Sequence, residues 1–88
     1  MTAKLKTDTR QPTDIDRRVS KRVRLARLMR RWSQVELGAK LGISYQMVQR
    51  YETAETRMSA GRLFAIANAL DMPIEWFFQD DQQFRISV

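Results

Sequence analysis

An all-α fold of five short helices, followed by a short C-terminal strand, is what this 88-residue sequence predicts. Three features carry that expectation. Apolar residues recur three and four apart in two stretches, Val19 to Met29 and Leu63 to Leu70. Ser33, Ser44 and Ser59 each stand where a hydroxyl would cap a helix that follows. Strict alternation of apolar and polar residues occurs in Phe84 to Val88.

Residues 1–13 are polar and carry Lys4, Lys6 and Arg10, with a period of neither 2 nor 3.6, so a flexible basic arm is expected there. Asp14 or Asp16 then caps a first helix running to about Arg31, with acids at its positive end and Arg30 and Arg31 at its negative end. Val19, Val23, Ala26 and Met29 give it an apolar stripe, while its other faces are mostly Arg and Lys. Leu25 and Leu28 fall outside the stripe, where they cover a neighbouring element or a partner.

Ser33 with Glu36 three residues on forms a capping box that opens a short second helix, whose apolar contacts are Val35, Leu37 and Leu41. Gly42 suits the left-handed residue that ends it, and Ile43 is a turn residue expected inside. Ser44 caps a third helix to about Glu52, and a loop over 53–58 follows. Ser59 caps a fourth helix with Leu63, Ile66, Ala67 and Leu70 on one face, stopped at Met72-Pro73. Ile74 to Phe78 forms a last short helix with Pro73 in its first turn. One domain, residues 14–79, is therefore expected between the arm and a tail over 80–88.

The sequence has no Cys and no His, which removes disulfides, Cys/His zinc sites, thiol nucleophiles and imidazole bases together. No enzyme activity and no cofactor are expected. An enzyme would have to rest on carboxylates such as Glu52 and Glu55, better read as a core ion pair and a loop charge. Met1 to Gln11 lacks the apolar run of a secretory signal, and no stretch approaches the roughly 20 apolar residues that cross a bilayer. A cytoplasmic protein is expected, which in a bacterium includes the nucleoid.

Charge is divided unevenly. Residues 1–32 carry +8 and residues 33–88 carry −2 of the net +6. Such concentration points to a polyanionic partner, nucleic acid before anionic membrane.

Between Gln34 and Glu52, the residues Gln34, Leu37, Gly38, Leu41, Gly42, Ile43, Val48 and Tyr51 fall at the spacing of two helices joined by a three-residue turn. A steep crossing needs a small residue at closest approach, which Gly38 supplies. With Val48 and Tyr51 facing inward, Gln46, Gln49 and Arg50 face outward, and Tyr45 sits at the exposed first turn. Gln pairs bidentately with adenine and Arg with guanine, so Gln46 and Arg50, four apart, make a base-reading pair.

On these residues the sequence resembles the helix-turn-helix domains of the lambdoid-phage repressor and Cro family, the XRE family. The resemblance covers roughly Val19 to Phe78 and is densest over Ser33 to Ser44 and Leu63 to Leu70. Two positions depart from it: Gly38, where Ala is more usual, and Thr53-Ala54, where many members carry Asn-Gly. The resemblance implies a compact five-helix DNA-binding domain whose third helix enters the major groove. It places base contacts on Tyr45, Gln46 and Arg50, and backbone contacts on Gln34 and Arg57. Gln49, Arg30 and Arg31 are expected to flank the site.

It also implies a partly buried ion pair between Arg27 and Glu52, which agrees with their sequence neighbours Ala26 and Tyr51. The expected function is that of a sequence-specific transcriptional regulator, a repressor, binding an inverted repeat of double-stranded DNA as a homodimer, with no membrane role. The alternative is a protein-interaction module, an antitoxin or anti-activator, with Leu25, Leu28, Trp32 and Trp76 as contacts. For the dimer contact, Phe84, Ile86 and Val88 share one face of a strand that needs a mate, and the available mate is the same segment of a second subunit; the alternative is dimerisation through the last helix without a strand.

Overall fold

The computed structural model describes residues 11–80, and the dimer-strand residues Phe84, Ile86 and Val88, like the cations Lys4, Lys6 and Arg10, lie outside that range. Four α-helices, α1 (Asp14–Met29), α2 (Gln34–Leu41), α3 (Tyr45–Glu52) and α4 (Ala60–Leu70), precede a 3-10 helix over Ile74–Phe78. The fifth helix is thus a tighter turn than an α-helix. Its five residues start on Pro73, in extended conformation with φ −66°, and follow the left-handed Asp71 that closes α4.

The α1 cap is Thr13, a residue expected in the arm, and not Asp14 or Asp16. Its hydroxyl accepts the Asp16 N–H at 3.1 Å while the Asp16 carboxylate accepts the Thr13 N–H at 2.8 Å, a reciprocal box with Asp16 as third helical residue. At the other end α1 stops at Met29, short of Arg31. Trp32 N–H donates to the Arg27 carbonyl and Arg31 N–H to the Leu28 carbonyl, with Arg31 left-handed at φ 60°.

The core is a single cluster to which every helix contributes, centred on Val23, Leu37, Val48, Ile66, Leu70 and Phe77. Three residues expected in it are less buried, two of them outside the core and Ile43 packed against it. Met29 is 62% exposed because, as the last residue of α1, it lies about 90° round the helix from the centre of the Val19, Val23 and Ala26 stripe. Val35 is 60% exposed because two helical residues before Leu37 is nearly the opposite face of α2. Ile43 is only half-buried.

Candidate nucleic-acid interface

The α2–turn–α3 unit is fixed by close approach. The Ile43 N–H donates to the Gly38 carbonyl at 2.9 Å, and a Cβ on Gly38 would lie 2.6 Å from the Ile43 carbonyl oxygen. No side chain fits there without moving backbone. Gly42, at φ 71°, closes α2, and the Ser44 hydroxyl accepts the Met47 N–H to start α3.

Val48 and Tyr51 hold α3 to the core, which turns Tyr45, Gln46, Gln49 and Arg50 to solvent. Among the described residues none of these four side chains has a hydrogen-bond or ionic partner. The face carries one cation, two amides and a phenol, a combination able to donate to and accept from base edges.

A second arrangement sets the angle of α3. Arg27 donates to Glu52 through Nε at 2.6 Å and Nη2 at 3.0 Å, with the two side chains 8% and 2% exposed. The remaining Arg27 edge donates to the Trp32 carbonyl at 2.8 Å, and Gln34 Nε2 donates to Glu52 Oε1 at 3.2 Å. One buried carboxylate therefore ties α3 to α1 and to the first residue of α2. Gln34 is held by this network, with its second amide hydrogen left over.

The other flanking residues differ in freedom. Arg57 is engaged: its Nε pairs with Asp16 at 3.1 Å and its Nη2 donates to the Gln11 carbonyl, so the loop after α3 is strapped to the start of α1. The Asp16 carboxyl is held below its ordinary value of 3.8, first by the Thr13 backbone N–H, then by the Thr13 hydroxyl and the charges of Arg57 and Arg17, against the opposing effect of burial. Arg30 lies 3.7 Å from Asp71 at the end of α4. Arg31 is exposed and without a partner among the described residues.

Arg22, one of the many cations of α1, is 1% exposed. Its guanidinium lies 4.0 Å over the Trp76 ring, donating to the Trp76 carbonyl and the Gln79 side chain at 3.1 Å each. The signal was present in the spacing, since Val19, Arg22 and Ala26 form an i, i+3, i+7 row. Of the contacts proposed for a protein-interaction module, Leu25 and Leu28 are exposed. Trp76 lies beneath Arg22 and Trp32 beneath Lys40 at 4.8 Å, both half-buried.

Among the described residues no helix is long and apolar enough to cross a membrane, and no three acidic, His or Cys residues cluster to hold a metal.

Two short helices meeting at a glycine-tight turn, the second with its polar face outward, define a helix-turn-helix unit. Residues 23–77 match the family described as Helix-turn-helix, and the chain belongs to that family in its XRE, lambdoid repressor-like form. It is 42% identical over 71 residues to an uncharacterized HTH-type transcriptional regulator of Sinorhizobium medicae (strain WSM419), covering 81% of this chain and 51% of that protein. It is also 42% identical over 73 residues to an uncharacterized transcriptional regulator in the ATPase CF(0) region of Rhodospirillum rubrum, covering 83% and 68%.

The chain thus spans about half to two thirds of the length of these relatives. Among solved structures, the hypothetical transcription factor NHTF from Neisseria superposes with a TM-score of 0.76 at 21% identity, over 85% of this chain and 86% of that one, a likeness of fold. The P22 c2 repressor in complex with synthetic operator 9T superposes with a TM-score of 0.64 at 25% identity, over 72% and 96%.

Proposed function

We propose that this chain is a sequence-specific DNA-binding transcriptional regulator, a repressor, that binds an inverted-repeat operator as a homodimer and works in the cytoplasm at the nucleoid. The observation that carries the reading is the exposed, unpartnered row Tyr45, Gln46, Gln49 and Arg50 on a helix locked by Gly38 and by the buried Arg27–Glu52 pair. The likeness to a repressor whose structure contains an operator supports it.

In this reading α3 enters the major groove, where Arg50 takes a guanine, Gln46 an adenine, and Tyr45 the neighbouring step. Gln34 offers its spare amide hydrogen to a phosphate, and Arg31, with Arg30 and Gln49, flanks the contact. Arg57 keeps only its uncommitted nitrogen for the backbone. Two domains, each residues 14–79, sit about 34 Å apart across a two-fold axis, joined through Phe84, Ile86 and Val88, and occupancy blocks or recruits polymerase.

Selection of bound sequences from random duplexes tests the reading. A palindromic motif with half-sites about one helical turn apart is expected, and the absence of any enriched motif refutes it. Deleting 84–88 and measuring mass in solution tests the dimer contact, since a truncated protein that is still dimeric rules the strand out.

A further inference from the structure

The face that would read bases carries a single cation, Arg50, while the strongest concentration of exposed positive charge lies on α1. Along α1, Arg17, Lys21 and Arg24 succeed one another at spacings of four and three, which puts them in one row, on the side opposite Val19, Val23 and Ala26. The acids near this row are Asp14, which pairs with Arg17 at 3.1 Å, Asp80, which shares a depression with Arg17, Arg18 and Lys21, and the buried Glu52, which is paired with Arg27. Lys21 and Arg24 are exposed, and neither has a partner among the described residues.

The row begins against the C-terminal end of α3. Arg17 and Lys21 line a depression of about 260 Å³ together with Glu52, Thr53 and Ala54, at the C-terminal end of α3. From there it runs roughly 10 Å along α1 to Arg24, the axial length of about three phosphates on one strand.

Phosphate affinity comes from cations that displace counterions, and the flanking groups supply few of them. Gln34 is uncharged, Arg57 is paired with Asp16, and Arg30 lies near Asp71. We infer that the Arg17–Lys21–Arg24 row of α1 is a phosphate-gripping surface that engages the DNA backbone flanking the groove read by α3. The inference rests on the DNA-binding reading above. It adds a second contact surface, whose partner is the phosphodiester chain irrespective of base sequence.

The test compares the whole protein with a Lys21→Gln, Arg24→Gln variant by titrating fluorescent duplexes of about one and about three helical turns over a series of salt concentrations. On the long duplex the variant should bind more weakly, with a log–log salt slope shallower by about two units, since each phosphate contact contributes about 0.9. On the short duplex it should match the parent, and its ranking of single-base variants and its melting temperature should be unchanged. A variant with the parent's slope on both duplexes overturns the proposal while leaving base reading intact. A parent that binds with this slope but ranks no bases overturns base reading and leaves the row standing. A parent that binds neither duplex overturns both.

Discussion

Replacing Glu52 by Gln isolates the element that holds α3 in place. The substitution preserves volume but puts an amide where Arg27 Nε and Nη2 now donate at 2.6 and 3.0 Å, and it weakens the acceptor for Gln34. Arg27 cannot shed its charge and cannot reach water, because its side chain is 8% exposed. Removing one member of a buried pair leaves the other uncompensated and costs about 3–5 kcal/mol, against under about 1 for a surface pair. A chain of 88 residues has a total stability of about 4–13 kcal/mol. Each kilocalorie moves the midpoint of so small a domain by about 4–8 °C, so a fall of at least about 12 °C is expected. Thermal and urea unfolding followed by circular dichroism provide the assay. A Glu52→Gln protein melting within a degree or two of the parent would refute the reasoning, because the pair would then be solvated.

Three further expectations follow from single residues. Gly38→Ala gains about 1 kcal/mol of helix propensity but drives a methyl against the Ile43 carbonyl at 2.6 Å, so urea unfolding should show a net loss of stability, and a net gain would mean the turn gives way. Asp16 has a lowered folded-state pKa, so its contribution is fully present above the unfolded value near 3.8 and disappears as pH falls through the folded value. Asp16→Asn should therefore be less stable at neutral pH and lose stability less steeply below about pH 4, whereas parallel acid profiles would contradict the assigned partners. Arg31 occupies a left-handed position that glycine adopts without strain, so Arg31→Gly should hold or raise the melting temperature while weakening duplex binding; a stabilised variant with undiminished binding would remove Arg31 from the interface.

Helix positions were legible because they depend on local signals. Ser33, Ser44 and Ser59 cap the helices they precede, and Gly42 ends α2 in the left-handed conformation. The turn at Gly38 was legible because a steep crossing admits only a small residue. The α1 cap was misread because Thr13, Asp14 and Asp16 all offer capping oxygens within four residues, and only the reciprocal bond selects one. Burial at Met29 and Val35 was overstated because residue type was weighed above helical angle. Arg22 was missed for the converse reason, its type outweighing an angle that pointed to Trp76. The commitment of Arg57 to Asp16 joins residues 41 apart, and no local pattern announces it.

The reading of α3 stands on Arg50. Competition of single-base operator variants against the selected sequence, measured for the parent, Arg50→Ala and Arg57→Ala, tests it. Loss of a bidentate base contact should cost Arg50→Ala about 1–3 kcal/mol at one base pair of each half-site and abolish preference there. Arg57→Ala, which lacks a half-exposed ion pair and at most one phosphate contact, should bind all variants more weakly in the parent's order. An Arg50→Ala protein that ranks the bases at every position as the parent does would contradict the base-reading role of Arg50 and move it among the backbone contacts.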